Sequence, residues 1–110
     1  MKIIESAFIA KKTGEITLSL FRSYIQTTLG FCEAGEHNEL CSLTGKPRFN
    51  SGEGVVYFIS ENYEPSYIKF RNDDRSMYDG VIDINNVEES IVEKIAYDLN
   101  AEIHMVYMHG

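Results

Sequence analysis

Four apolar residues recur at four-residue intervals near the end of the chain, and this spacing constrains the fold more than any other feature. The stripe consists of Val87, Ile91, Ile95 and Leu99, widened by Val92 and Ala96. Asn86 can cap the N-terminus, Glu89 completes a capping box, and Asn100 can adopt the left-handed conformation that ends a helix. The sequence therefore predicts an amphipathic helix over residues 87–99, with its stripe packed on a sheet.

Two apolar segments in the middle of the chain predict a β-hairpin. Residues 55–60 (VVYFIS) are continuously apolar enough for a central strand that is buried on both faces. In the following segment, Ile68 and Phe70 alternate with Lys69 and Arg71. Because side chains alternate between the two faces of a strand, the apolar pair should face the core and the charged pair should face away.

The remaining segments predict three more strands and leave one ambiguity. Residues 2–10 and 102–109 are predicted as strands, and residues 81–84 as a short edge strand. Residues 16–29 fit two structures. They form either a helix that begins near Thr17 and ends at Gly30, which we favour, or a strand that pairs with residues 2–10.

These elements predict an α+β fold in a single domain, residues 1–110, with a mostly antiparallel sheet and one or two helices packed on one face. If residues 16–29 are helical, the order of elements matches the βαββαβ order of ferredoxin-like folds. If they form a strand, the result is an antiparallel sheet of five or six strands covered by one helix.

The charge of the chain is strongly segregated. Residues 1–30 carry a net charge of +2, whereas residues 31–110 carry −9, which gives −7 overall. Such a surface disfavours nucleic acid and anionic membranes, whose phosphates need basic residues. It suits a basic protein partner. No segment approaches the ~18 apolar residues of a membrane span, and a cytoplasmic location is expected.

Acidic side chains and one tyrosine in two polar segments are the candidate partner-binding residues. They are Glu33, Glu36, Glu39, Asp73, Asp74, Tyr78, Asp79 and Asp83. The carboxylates would attract the partner, and an aromatic side chain would anchor it by burial. Tyr63 and Tyr67 are further aromatic candidates.

The cysteines and histidines predict neither a metal site nor a catalytic site. Cys32, His37 and Cys41 lie within ten residues, but their spacing matches no common zinc motif and no cysteine-nucleophile signature. We therefore expect no metal, no cofactor and no enzymatic activity. His104, in the middle of a predicted strand, is interpreted as a satisfied sheet residue.

In its overall properties the chain resembles the small acidic immunity proteins of bacterial toxin systems, such as those of contact-dependent growth inhibition. The similarity lies in its length, its negative charge, its aromatic-rich polar loops and its lack of an enzyme motif. The resemblance implies a protein that binds a cognate toxin domain, often a basic nuclease, and blocks its activity. Two alternatives remain open: another acidic inhibitor or nucleic-acid mimic, and a small enzyme or ligand-binding domain that uses the Cys/His cluster.

Overall fold

The computed structural model of the 110-residue chain describes residues 2–31, 55–60, 66–72 and 78–107. These residues form one antiparallel sheet of five strands in the order β2-β3-β4-β1-β5, with two helices packed against it. The strands are β1 (Ile3–Ala10), β2 (Val55–Ser60), β3 (Ser66–Arg71), β4 (Val81–Glu88) and β5 (Glu102–Tyr107), and the helices are α1 (Leu18–Ser23) and α2 (Glu89–Asp98). The α+β class and the antiparallel sheet are therefore confirmed.

The segment over residues 16–29 is helical, so the alternative hairpin with residues 2–10 is wrong. The Thr17 side chain caps α1 by accepting a hydrogen bond from the Leu20 amide at 3.1 Å. A π-helical turn, Tyr24–Thr28, continues α1, and Gly30 ends the segment at φ +73°. Phe21 and Ile25 are fully buried on the side that faces the sheet.

Helix α2 starts two residues later than the sequence predicts. Val87 belongs to β4, where it pairs with Ile4, and Asn86 is not a helix cap but a strand residue at φ +52°. Glu88, the N-cap residue, makes no side-chain capping bond, whereas the Glu89 amide donates to the Lys2 carbonyl at 2.8 Å. Because β4 pairs with β1, Asn86 and Val87 belong to this strand, although the helical periodicity assigned them to α2 and its cap.

The C-terminal half of α2 follows the prediction. Val92, Ile95, Ala96 and Leu99 are buried against the sheet, and Ile91 is half-buried. Asn100 adopts the predicted left-handed conformation at φ +52°. The tyrosine hydroxyl of Tyr24 donates to the Asp98 carboxylate at 2.6 Å, so the two helical segments are joined on the same face of the sheet.

Two strand positions differ from the prediction. Residues 81–84 are not a short edge strand, because β4 is eight residues long and lies between β3 and β1. The 55–60 strand is not central, since β2 pairs only with β3 in the described part of the sheet. The hairpin of β2 and β3 is confirmed, with Ile68 and Phe70 buried in the core.

The observed order of elements is not the ferredoxin-like one. In the described residues three strands, β2, β3 and β4, lie between the helices, where βαββαβ has two. The last of these, β4, pairs antiparallel to β1 through six residue pairs from Ile3–Glu88 to Ile9–Ile82. The ferredoxin-like order of elements is therefore not confirmed.

Candidate functional site

Three of the eight predicted partner-binding residues lie in the part of the chain that the structure describes. They are Tyr78, Asp79 and Asp83, and all three are at or near the start of β4. Glu33, Glu36, Glu39, Asp73 and Asp74 lie outside the described residues, as do Tyr63, Cys32, His37 and Cys41. We call residues 78–83 the β4 entry segment.

The backbone of the β4 entry segment is held tightly against the residues before α1. The Ile16 amide donates to the Asp79 carbonyl at 2.8 Å, and Glu15 and Asp79 form an isolated parallel bridge. Gly80 has φ +88°, and a Cβ there would lie 2.0 Å from the Ile16 carbonyl oxygen. Only glycine fits this approach, so the exposed Asp79 carboxylate projects from a fixed piece of backbone.

Tyr78 packs into an aromatic cluster on the sheet face opposite the helices. Its ring centroid lies 5.9 Å from that of Phe8 and 5.4 Å from that of His104. Phe8 and His104 are direct neighbours on β1 and β5, and their rings stack at 4.7 Å with an angle of 8°. Tyr78 is therefore half-buried, so only part of its ring is available to a partner.

Asp83 is a paired carboxylate in the interior of β4. The Arg71 Nε donates to its Oδ2 at 2.6 Å, and the two side chains are 33% and 27% exposed. Phe8 is opposite Asp83 in the register of β1 and β4, so Asp83 and Tyr78 share a neighbour. Burial, and then the negative charge of Asp83, raise the pKa of Tyr67 above its usual value.

His104 differs from the satisfied sheet residue that the sequence suggested. Its Nε2 atom is buried and has no hydrogen-bond partner among the described residues, and a carboxylate oxygen of Glu102 is 3.9 Å away. The His104 ring stacks flat on that of Phe8 in β1. Among the described residues, no three His, Cys, Asp or Glu side chains are grouped closely enough to hold a metal ion.

Tyr97 is an exposed aromatic residue that the sequence reasoning overlooked. It is 86% exposed on α2, and Glu93 is exposed one turn earlier on the helix. The signal was present in the sequence, because Tyr97 lies off the stripe that contains Ile91, Ile95 and Leu99.

Most of the negative charge lies outside the described residues. The described ranges contain nine acidic and seven basic side chains, so they carry −2 of the total charge of −7. Two ion pairs besides Arg71–Asp83 bring opposite charges together within these ranges: Lys2 with Glu89 at 3.1 Å, and Lys94 with Asp98 at 3.0 Å. The acidic surplus therefore belongs mainly to residues 32–54, 61–65 and 73–77, which carry −5.

Comparison of the chain with protein-family models, curated proteins and solved structures gives no match. Within the described residues, neither α1 nor α2 has the length and apolar character needed to span a membrane.

Proposed function

We propose that this chain is a toxin-neutralising immunity protein, which binds a basic toxin domain and blocks its activity. The observation that carries the proposal is the net charge of −9 on residues 31–110. A charge of this size on a small domain attracts an oppositely charged partner and raises the association rate by about 10- to 1,000-fold. The overall resemblance to small acidic immunity proteins supports the same function.

The β4 entry segment supports a docking role close to the acidic polar segment that precedes it. Asp73 and Asp74 come a few residues before Tyr78 in the sequence, and Asp79 is exposed on a fixed backbone. A rigid platform loses little conformational entropy on binding, so a carboxylate and an aromatic ring on it contribute more of their interaction to affinity. Asp83 contributes less, because Arg71 already neutralises it.

The direct test is whether this chain neutralises the domain encoded immediately upstream of it, because an immunity protein is encoded next to its toxin. That domain would be expressed in bacteria with and without this chain, and growth would be followed. Co-expression should restore growth, and the two purified proteins should form a 1:1 complex. Unchanged toxicity, with this chain folded and in excess, would show that the proposed function is wrong.

A kinetic experiment tests the electrostatic mechanism separately. Reversal of Asp73 and Asp74 to Lys should slow association by about tenfold, because steering depends on charge near the interface. The matched control reverses Glu5 and Glu93 to Lys, two exposed residues elsewhere that give the same change in net charge. The control should slow association much less.

Salt provides the second arm of that experiment. Screening at ~0.5 M salt shortens the Debye length to a few Å, so association should slow steeply relative to ~0.05 M. Tyr78→Ala should instead raise the dissociation rate, because an aromatic anchor contributes by burial. A complex that is indifferent to salt and to both acidic reversals would refute the electrostatic mechanism while leaving neutralisation intact.

A further inference from the structure

The outer edge of β5 is not paired with any strand in the described part of the chain. On its inner side β5 pairs with β1 without interruption from Glu102 to Met105, after which the register shifts and Val106 is skipped. An edge strand presents backbone N–H and C=O groups that a further strand can bind. Because the shift breaks the regular edge, an added strand would pair with residues 101–105.

The side chains of this edge are apolar on one face and polar on the other. Ala101, Ile103 and Met105 lie on the helix side, where Ala101 and Ile103 pack against the core and Met105 is 45% exposed. Glu102 and His104 lie on the opposite face, with the Glu102 side chain 56% exposed. Val106, just beyond, is 61% exposed. Within the described part of the sheet, the edge therefore leaves apolar area uncovered beside backbone that no described strand pairs with.

We propose that two copies of this chain associate by antiparallel pairing of their β5 strands, with the two Ile103 residues opposite each other. In this register each Met105 lies opposite Ala101 of the second copy, so five residues on each strand pair symmetrically. The apolar side chains of both copies then form one continuous row on the helix side. The two sheets, each with five described strands, join into a single sheet.

The side chains at residues 101–106 favour this register over its neighbours. Each Glu102 lies opposite His104 of the second copy, so a carboxylate faces an imidazole at two symmetric positions. A register centred on Glu102 would place two carboxylates opposite each other, which is destabilising. A register centred on His104 would bring Val106, where the strand is irregular, into the pairing. Registers that place residues from opposite faces of β5 across from each other are excluded, because a two-fold axis perpendicular to the sheet keeps each face of the sheet on the same side.

The association should be weak and should increase with salt. Five-residue pairing buries less than the ~1,200 Å² of a standard interface, so dimers should appear only at roughly 0.1 mM and above. Each copy carries a charge of −7, and salt screens the repulsion between them. This dependence is opposite in sign to that expected for a basic partner, so the two associations can be told apart.

Sedimentation velocity of the full chain tests the proposal, from about 10 µM to about 1 mM protein and at about 0.05 M and 0.5 M NaCl. Met105→Lys introduces a charge opposite the second copy's Ala101 and should weaken dimerisation at least about tenfold. The matched control is Tyr97→Lys, which adds the same charge at an exposed position outside the pairing. It should leave the dimerisation constant within about twofold.

Several results would overturn the inference. A wild-type chain that stays monomeric at the highest concentration in both salts excludes the dimer. Dimerisation that weakens with salt excludes two like-charged copies as its basis. Equal effects of Met105→Lys and Tyr97→Lys place any dimer elsewhere on the surface. Thermal melts of both variants at low concentration confirm that the monomers are folded, since both positions are exposed in the monomer.

Discussion

Replacement of Gly80 by Ala tests the close approach between the β4 entry segment and the residues before α1. A Cβ at Gly80 would lie 2.0 Å from the Ile16 carbonyl oxygen, against at least 3.4 Å in ordinary contact. The backbone must therefore move by more than an ångström. That movement breaks the hydrogen bond from the Ile16 amide to the Asp79 carbonyl and displaces the buried Ile16 side chain.

The cost can be estimated from these three effects. A non-glycine residue at positive φ costs about 1–3 kcal/mol, and the lost hydrogen bond costs about 0.5–1.5 kcal/mol. Partial exposure of Ile16 adds part of the ~1.5–3 kcal/mol that its burial supplies. Gly80→Ala should therefore lower the free energy of unfolding by about 3–6 kcal/mol, a large share of the ~5–15 kcal/mol of a typical domain.

Gly30→Ala is the matched control, because Gly30 also has positive φ, +73°, but among the described residues no atom beyond its chain neighbours lies within 4 Å of the position of a Cβ. Gly30→Ala should lower the free energy of unfolding only by the cost of a non-glycine residue at positive φ, about 1–3 kcal/mol. Urea unfolding measures both costs, and hydrogen exchange at the Ile16 amide reports the broken bond directly. If the two substitutions cost the same within ~0.5 kcal/mol, the close approach at Gly80 does not exist.

Three further outcomes are expected. Ile95→Ala should cost about 2–4 kcal/mol in urea unfolding, because Ile95 is fully buried, and Ile91→Ala should cost clearly less, because Ile91 is half-buried; equal costs would contradict the packing of α2. The hydrogen bond from Tyr24, and then that from Lys94, hold the pKa of Asp98 below its usual value. The ionised Asp98 carboxylate therefore stabilises the folded state above the unfolded pKa near 3.9, and this contribution is lost as the pH falls through the folded pKa. In Tyr24→Phe, the free energy of unfolding measured in urea should therefore fall less between about pH 5 and pH 2 than in the wild type. An unchanged pH profile would show that the Tyr24 hydrogen bond does not lower the pKa of Asp98. Purified protein should contain no stoichiometric zinc and should keep its melting temperature in a chelator; one equivalent of zinc in elemental analysis would favour the Cys/His alternative.

Local features of the sequence were enough to predict most of the elements. The helix start near Thr17, the helix end at Gly30 and the positive φ of Asn100 each depend on backbone geometry within a few residues. The alternation of Ile68 and Phe70 with charged residues also reports a local property, the two faces of one strand. The partner-binding residues of the β4 entry segment were named from the sequence by charge and residue type, and their role stays a prediction.

Long-range pairing decided the rest. Val87 fits the helical stripe of α2, but its pairing with Ile4 places it in β4, and Asn86 at positive φ allows that strand to keep Val87 on the core side. An apolar run such as residues 55–60 indicates burial, yet burial does not specify which strands lie on either side. For the same reason, the sequence did not indicate that β4 lies between β3 and β1.

The sequence by itself determined the α+β class, the segregated charge and the residues at which the helical segments end, because periodicity, net charge and backbone preference are properties of neighbouring residues. Only the tertiary structure decided which carboxylates are available. It pairs Asp83 with Arg71 and packs Tyr78 against Phe8. These are contacts between residues far apart in the chain, and they depend on strand order and register, which no local pattern encodes.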